Sequence, residues 1–342
     1  MGYRYIGSKA RIANEIIEYI DYNGEGYFID AFSGTGIVAQ KAANKGWKVK
    51  VNDMMKNAVV MSVAGLMSEY DIHFDFVGGY GACIDYLNSM EPEKGYFWRV
   101  YSPASLQFED VERRYFTEKN ASKIDAIVNQ IHLWNKQGII TEYEFITLMA
   151  DVIIATNNVA NIAGTYGCFL SKWTKQSEKE FWLEKRSLRK NKVDLIYSNK
   201  DVFEIESEEN DVVYFDPPYT KRQYASYYHI LETIVCGDEA QVEGTSGLRP
   251  WKDKASVFCY KKKALNALLQ LILKQKARRI VLSYSDDGHV NLYDLVNELR
   301  RTGEVEIIEF KTIGRYTPNK TALNNKAVVK EYLIDYRKKD KK

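Results

Sequence analysis

Short apolar strands that each lead into a helix, first seen in residues 27–67, constrain the fold of this chain most. The strand segments are rich in β-branched and aromatic residues, whereas the segments between them space their apolar residues as helices do. This order predicts an α/β fold with a parallel sheet and crossover helices. The predicted strands are 27–32, 47–51, 193–197, 211–215, 279–284, 305–310 and 327–336.

The alternation is interrupted between residues 74 and 192. Residues 119–134 and 141–156 have helical spacing, and a glycine-rich, aromatic and then basic stretch follows at 157–173. We therefore predict one sheet-forming domain from residues 1–73 and 193–342, with 74–192 as a mainly helical insertion at the edge of the sheet.

Composition excludes several other classes of protein. No window approaches the ~20 apolar residues that cross a bilayer, and the N-terminal residues lack the layout of a signal peptide. The four cysteines form no CxxC pair, so we expect reduced thiols in a cytoplasmic protein and no metal site. Net charge is only +2, but residues 171–192 hold eight Lys/Arg against three Glu. Such a run is usually a solvated face, and it also suits nucleic acid.

A second constraint is the run Asp216-Pro217-Pro218-Tyr219, which follows the apolar strand 211–215. The acid lies where a buried strand ends, and the prolines keep the next residues extended. A carboxylate, a backbone carbonyl and an aromatic ring thus come close together, a set that can hold a planar group with an amino substituent. A Pro-Pro turn that simply closes a strand is the alternative.

Polar groups also follow the other early strands. The turn Ser33-Gly34-Thr35-Gly36 lets a backbone approach a ligand and frees a helix N-terminus. Asp53 ends the second strand, where an acid can accept hydrogen bonds from ribose hydroxyls, and Asp201 follows the third. Each acid alone is better explained as a helix cap or a surface residue. Together they predict a nucleoside site at the carboxyl edge of a parallel sheet.

The order of these motifs resembles the Dam-type (D12 class) DNA adenine N6-methyltransferases. The motifs that match are Tyr5-x-Gly7-Ser8-Lys9, Phe32-x-Gly34-x-Gly36, an acid after the second strand and Asp216-Pro217-Pro218-Tyr219. The resemblance implies a Rossmann-like methyltransferase sheet, mostly parallel with an antiparallel last strand, and S-adenosyl-L-methionine as methyl donor. The cofactor contacts that it implies are Tyr5, Lys9, Asp53 and Asp216, with Phe32, Gly34, Gly36 and Asp201 as further contacts.

The chain also departs from the Dam pattern. Ala31 stands where that pattern usually has proline, and the stretches 164–173 and 222–229 look more like restriction–modification relatives. Dam's target sequence is therefore not transferred. A restriction–modification or related role is the expectation, and the presence of a cognate restriction endonuclease as a partner is left open.

Adenine N6 is a poor nucleophile because its lone pair is delocalised into the ring. If Asp216 and the Pro217 carbonyl accept hydrogen bonds from its two N–H groups, the nitrogen can pyramidalise towards the methyl group. Tyr219 would stack on the base. Pro218 completes this catalytic run, and neither a metal nor a covalent intermediate is needed. In duplex DNA the adenine must first be flipped out, at a cost of a few kcal/mol.

The insertion 74–192 is the candidate for target recognition. The residues expected to contact DNA are Lys172, Lys175, Arg186, Arg189, Lys190, Tyr224 and Tyr228, although helix packing explains the two tyrosines equally well. Other possibilities remain open: N4 of cytosine or an RNA base as acceptor, or a catalytically idle DNA-binding subunit. The intact acid and aromatic ring argue against an idle subunit.

Overall fold

A computed structural model describes residues 5–22, 24–313 and 329–339. The chain divides into two compact units. The sheet unit comprises Gly7–Ser62, Val193–Tyr224 and Lys254–Lys342, and the helical unit comprises Met1–Ile6, Val63–Lys192 and Ala225–Asp253. Each unit is interrupted in sequence, so the chain passes between them several times.

The sheet unit is built on a seven-stranded sheet with the order β3-β2-β1-β4-β5-β7-β6. Its strands are β1 Tyr27–Asp30, β2 Lys48–Asn52, β3 Leu195–Ser198, β4 Val212–Phe215, β5 Arg279–Ser285, β6 Gly303–Ile313 and β7 Val329–Lys338. Strands β1 to β5 pair in parallel, and β7 runs antiparallel between β5 and β6. The prediction of a mostly parallel α/β sheet with an antiparallel last strand is confirmed.

Burial explains why the central strands read as unbroken apolar runs. All four residues of β4 are buried, as are three of the four in β1, the pattern of parallel strands covered on both faces. The helices of this unit are α1 Ala13–Ile20, α2 Ile37–Asn44, α3 Lys56–Ala64, which crosses the boundary between the units, α10 Lys261–Lys274 and α11 Leu292–Arg300. Leu268, Leu271 and Ile272 of α10 join Val213 and Phe215 in one buried cluster.

Helix α1 begins later than the sequence suggests. The apolar spacing of residues 8–20 predicts a helix with Ser8 available as its cap, but the helix begins at Ala13 and has no side-chain cap. The backbone carbonyl of Lys9 instead accepts hydrogen bonds from the N–H groups of Ile12 and Ala13, at 2.9 and 2.8 Å. The residues before Ala13 therefore form a turn that keeps Lys9 buried.

The strand order creates a switch point between β1 and β4. From β1 the chain continues through β2 and β3 towards one edge of the sheet, whereas β4 and β5 extend it in the other direction. Ligands of open α/β sheets bind outside the carboxyl ends of the strands at such a point. Asp30 at the end of β1 pairs with Tyr214 of β4, so Asp216 lies just beyond this register.

The helical unit contains the two helices that the sequence predicts within the insertion, and further ones. Its elements are α4 Tyr80–Ser89, α5 Tyr96–Tyr101, α6 Glu118–Lys136, α7 Glu142–Val159 and α9 His229–Cys236, with α8 Tyr224–Tyr227 at its boundary. Thr141 and Glu144 form a reciprocal capping box at the start of α7. No helix among the described residues is long and apolar enough to cross a membrane.

The helical unit also takes in residues 225–253, which the sequence interpretation assigned to the sheet-forming domain. The reason is a set of buried contacts from this segment to the insertion. The Tyr166 N–H donates to the carbonyl of Tyr227 at 2.8 Å, and the Tyr166 carbonyl lies 2.8 Å from Nε2 of His229. The hydroxyl of Tyr115 donates to the Ser246 carbonyl at 3.0 Å. That residues 74–192 recognise the target stays a prediction.

Gly36 offers a test of how the turn after β1 is packed. Its φ is +71°, and a Cβ there would lie 2.5 Å from Cα of Ser62. We expect Gly36→Ala to lower the free energy of unfolding by about 2–5 kcal/mol, because backbone strain and a backbone clash add. Gly24→Ala is the matched control in the same unit, with φ +86° and nothing within 4 Å of its Cβ. It should lose only about 1–2 kcal/mol. Equal losses of unfolding free energy for the two variants, measured by urea unfolding, would contradict the close packing of Gly36 against Ser62.

Candidate active site

The turn after β1 is held by the acid at the end of β2. Gly34 and Gly36 have φ of +51° and +71°, the left-handed region that glycine adopts without strain. One oxygen of Asp53 accepts from the Gly34 N–H at 3.0 Å, and the other accepts from the Met55 N–H at 2.9 Å. The glycine turn and the acid, recognised separately in the sequence, thus form one unit. Asp53 remains partly exposed, so its other lone pairs can face a ligand.

Asn52 ties together three strand ends, and sequence reasoning missed this role. Its amide Nδ2 donates to the carbonyls of Ala31 and Lys200, at 3.3 and 3.1 Å. Its Oδ1 accepts from the Ser198 hydroxyl at 2.8 Å and from the Lys200 N–H at 3.0 Å. An amide has both donors and an acceptor, which a buried site between backbone segments requires. Its place directly before Asp53 is the only sequence signal.

Asp201 and an aromatic wall border this edge near β3. Asp201 is exposed, and its Oδ1 accepts from the Phe203 N–H at 2.9 Å, so it caps the short helical turn Val202–Glu204. The ring of Phe32 contacts that of Phe258 edge-on, with 5.6 Å between the ring centroids, and the ring of Phe203 stacks on that of Phe258 with 5.9 Å between centroids. The capping role expected as an alternative for Asp201 is thus present. Its role in cofactor binding stays a prediction.

Asp216 lies beside a buried lysine and a second carboxylate. Nζ of Lys9 is 3.3 Å from Oδ1 of Asp216 and 3.0 Å from Oε2 of Glu331. The three side chains are 5%, 16% and 13% exposed, so little water screens their charges. The ammonium therefore bridges two acids of the sheet unit, one directly after β4 and the other in β7.

These contacts set the charges of the groups. Burial raises the pKa of Asp216, Lys9 lowers it and Glu331 raises it, and the result is about 6. Burial opposes the charged form of Lys9, but Asp216 and Glu331 outweigh it and raise the pKa of the ammonium. Lys9 is therefore charged at every physiological pH, whereas Asp216 is ionised only above about pH 6.

Tyr219 is held at three points. Its hydroxyl donates to Oε1 of Glu331 at 3.2 Å, and its backbone carbonyl accepts from the His289 N–H at 2.8 Å. Its ring contacts that of Tyr284 at 5.6 Å. Pro217 is buried and Pro218 is partly buried between Asp216 and this ring. The catalytic run predicted from the sequence thus stands at the carboxyl edge of the sheet, next to β1.

Glu331 is a site residue that the sequence interpretation missed. It belongs to β7, which runs antiparallel, so the start of this strand lies at the edge where the parallel strands end, opposite Ser285 of β5. It is separated from Tyr219 by 112 positions and from Lys9 by 322. The one available signal is an acid near the start of a predicted strand.

Asp30 is a fully buried acid at the end of β1. Its Oδ1 has no hydrogen-bond partner among the described residues. Burial and the nearby charge of Asp216 raise its pKa to about 8. Asp30 is therefore protonated at neutral pH, which keeps a further negative charge away from Asp216.

The expected DNA contacts fall into two groups. Lys172, Lys175 and Lys190 are exposed, as phosphate contacts must be. Nε of Arg186 instead lies 2.7 Å from Oδ1 of buried Asp151. Arg189 is partly buried, and its backbone bridges to Ser68. The guanidinium of Arg186 thus already serves a carboxylate within the helical unit.

The two candidate tyrosines of α8 and α9 have different surroundings. Tyr228 is 1% exposed, stacks on Tyr5 at 4.7 Å and accepts from the Ile6 N–H at 2.7 Å. These contacts match the helix-packing alternative, and they also place Tyr5 within the helical unit. Tyr224 is partly exposed, and its hydroxyl would lie 2.6 Å from a Cβ at Gly7, so it packs closely on that glycine.

No group of three or more His, Cys, Asp or Glu side chains suited to a metal ion occurs in residues 5–22, 24–313 and 329–339.

The strand order and the polar groups at the carboxyl edge define a Rossmann-like α/β protein, a class that binds nucleotides at its switch point. Within that class, the chain belongs to the D12 class N6 adenine-specific DNA methyltransferases, because the profile of this family matches residues 5–298. The resemblance drawn from the motifs is confirmed.

Relatives with curated names are modification enzymes. Type II methyltransferase M.FokI of Planomicrobium okeanokoites is 36% identical over 298 residues, covering 83% of this chain and 45% of that protein. Modification methylase StsI of Streptococcus sanguinis is 32% identical, covering 95% and 50%. Type II methyltransferase M.NlaIII of Neisseria lactamica is 28% identical, covering 94% of both. The chain thus spans about half the length of M.FokI and StsI.

The structural match to a solved protein, the rRNA methyltransferase aviRa from Streptomyces viridochromogenes, covers 98% of this chain and 88% of that protein. The sequence identity is 11% and the TM-score is 0.31.

Removing the bridging ammonium tests the electrostatics of this site. We expect Lys9→Met to lower the free energy of unfolding by about 3–5 kcal/mol at pH 8, because it leaves two buried carboxylates unpaired. The pKa of Asp216 is already raised, so its ionisation opposes folding, and this penalty grows without Lys9 as the pH rises through about 6. The loss should therefore be smaller at pH 5, where Asp216 is protonated.

Lys276→Met is the control, since Lys276 forms an exposed pair with Glu208 at 3.5 Å in the same unit. It should cost about 0–1 kcal/mol with little pH dependence. Urea unfolding at both pH values distinguishes the variants, and equal, pH-independent losses would overturn the electrostatic explanation.

Proposed function

We propose that this protein is a site-specific DNA methyltransferase that transfers a methyl group to N6 of an adenine flipped out of duplex DNA. The observation that carries the proposal is the buried carboxylate of Asp216, which follows β4 at the switch point and is paired with Lys9. Family membership supports the same reaction. The relatives are named as Type II methyltransferases or modification methylases, which supports a role in restriction–modification with a cognate endonuclease.

The chemistry of the carboxyl edge suits S-adenosyl-L-methionine. Asp53, Asp216 and Glu331 supply three carboxylates there, and Lys9 supplies one ammonium among the described residues. This excess of negative charge favours a positively charged ligand. The partly buried ring of Phe32 adds an apolar wall. The residues of the sheet unit proposed to hold the cofactor are Lys9, Phe32, Gly34, Gly36, Asp53, Asp201 and Asp216. When bound, this cofactor supplies an electrophilic methyl group on a sulfonium.

Asp216 and the carbonyl of Pro217 accept hydrogen bonds from the two N–H groups of the adenine amino group. This draws the N6 lone pair out of conjugation and stabilises the positive charge that develops on the nitrogen. Tyr219, fixed by Glu331 and Tyr284, stacks on the base and sets its plane. The ionised form of Asp216 is required, and a pKa of about 6 makes it the main form at neutral pH.

Binding to the DNA backbone requires positive charge outside this acidic edge. Lys172, Lys175 and Lys190 are exposed and supply phosphate contacts, which position a protein without reading sequence. Arg186 pairs with Asp151, and the backbone of the partly buried Arg189 bridges to Ser68, so both support this segment from within. Residues 74–192 then form the core of the target-recognition region, together with the segment 225–253 that packs on them.

Methyl transfer from labelled S-adenosyl-L-methionine to duplex DNA, followed by nucleoside analysis, tests the proposed function. We expect N6-methyladenine, with the rate reduced about 10²–10³-fold by Asp216→Asn, because the amide replaces a charged acceptor. Asp294→Asn is the matched control, since Asp294 is exposed on α11 of the same unit. A product of N4-methylcytosine, methylated RNA or no product would refute the proposal, as would full activity of Asp216→Asn.

DNA affinity measured over a range of salt tests the phosphate contacts. The double variant Lys172→Gln/Lys175→Gln should bind more weakly to any DNA sequence. The slope of log K against log salt should fall by about 0.9 for each contact removed. Lys136→Gln, at the exposed end of α6, is the control and should leave the slope unchanged. An unchanged slope in the double variant would remove these lysines from the interface.

A further inference from the structure

Among the described residues, the side chain of Glu331 has two hydrogen-bonding partners, one for each carboxylate oxygen. Oε1 accepts from the hydroxyl of Tyr219 at 3.2 Å, and Oε2 lies 3.0 Å from Nζ of Lys9. Both partners belong to the proposed methyl-transfer site, and Nζ also lies 5.3 Å from the centroid of the Tyr219 ring. Glu331 itself comes from β7, at the start of the antiparallel strand. One side chain thus joins the base-stacking ring to the cation that pairs with Asp216.

We propose that Glu331 is a positioning residue for methyl transfer, which fixes the plane of the Tyr219 ring and draws the Lys9 ammonium partly away from Asp216. This inference rests on the proposed function, because it assigns a role within the same site. It adds a residue of the last strand to a site otherwise built from the N-terminal segment, β1, β2 and β4.

The first part of the role is geometric. Besides the bond to Glu331, the ring of Tyr219 contacts the Tyr284 ring and the Lys9 ammonium, and its backbone carbonyl accepts one hydrogen bond. The bond from its hydroxyl to Glu331 restrains the far end of the ring, and so restricts its tilt. A ring that must stack on a flipped base is most effective when its plane is set before binding, because misplacement by about 1 Å can cost on the order of 10²-fold in rate.

The second part is electrostatic. An ammonium paired with Asp216 alone would neutralise the carboxylate and reduce its ability to accept N–H bonds. With Glu331 present, the ammonium is shared, and the added negative charge raises the pKa of Asp216. The groups that act on Asp216, or feel its charge, are Lys9 from the N-terminal segment, Asp30 from β1, Tyr214 from β4, Tyr219 and Glu331. A more basic carboxylate is the better acceptor for the amino group that becomes positively charged.

Three variants separate these parts. Glu331→Gln keeps the shape but has one acceptor oxygen for two donors, and it removes the charge. We expect kcat to fall roughly 10- to 100-fold. The acid limb of kcat/KM should move from about pH 6 towards the ordinary carboxyl value of 3.8. Glu331→Asp retains the charge but shortens the side chain, so it should leave the acid limb near pH 6 while kcat still falls.

Tyr219→Phe removes only the hydroxyl that donates to Glu331. It should lower kcat without moving the acid limb, because the charge of Glu331 remains. Combining it with Glu331→Gln should cost less than the product of the two single effects, since both changes affect the same contact between residues 219 and 331. Glu309→Gln is the control, because Glu309 is an exposed acid on β6 that pairs with Lys330. It should match the unaltered protein in both kcat and the acid limb.

The outcomes keep this inference apart from the proposed function. If the unaltered protein transfers no methyl group to DNA, the proposed function fails first, and the inference fails with it. If it is active, and Glu331→Gln leaves both kcat and the acid limb unchanged, Glu331 has no positioning role. If Glu331→Gln does not fold by circular dichroism, Tyr219→Phe and Glu331→Asp decide the question, and unchanged kcat in both overturns the inference.

Discussion

The interaction on which the site depends is the buried contact of Lys9 with Asp216 and Glu331. It joins the N-terminal segment, the end of β4 and the start of β7, three parts of the chain that lie far apart in the sequence. Burying such charges is costly, and a well-packed apolar set is often as stable. The arrangement is therefore better explained by the chemistry of a charged carboxylate held ready at the switch point than by stability.

The sheet topology brings the other groups to the same edge. Because β1 lies beside β4, the glycine turn and Asp216 follow the ends of neighbouring strands. Asp53 and Asn52 then hold that turn and the strand ends through hydrogen bonds to the backbone. A pKa of about 8 keeps buried Asp30 neutral at neutral pH, so the edge holds fewer charges than its acids suggest. Topology supplies proximity, and protonation limits repulsion.

Local signals predicted much of this structure. Strand periodicity, the glycine turn and Asp216-Pro217-Pro218-Tyr219 depend on neighbouring residues, so the strands and the candidate site were recognised from them. The roles of Glu331 and Asn52 depend on contacts between distant segments, which one sequence does not reveal. Burial was equally hidden: Arg186 belongs to a basic run in the sequence, yet Asp151 pairs with it from inside the helical unit. A charge count does not distinguish a phosphate contact from a structural ion pair.

The sign of the charge at the carboxyl edge has a consequence for DNA binding. Asp53, Asp216 and Glu331 outnumber Lys9 among the described groups there, so the edge repels phosphates while it suits a sulfonium and a neutral base. A duplex cannot gain its affinity at such a place. The proposed phosphate contacts therefore belong to other residues, and the exposed lysines between Lys172 and Lys190 have the required sign and exposure. In the proposed reaction, what enters the acidic site is a single uncharged nucleobase, and flipping the adenine out of the helix keeps the duplex phosphates away from those carboxylates.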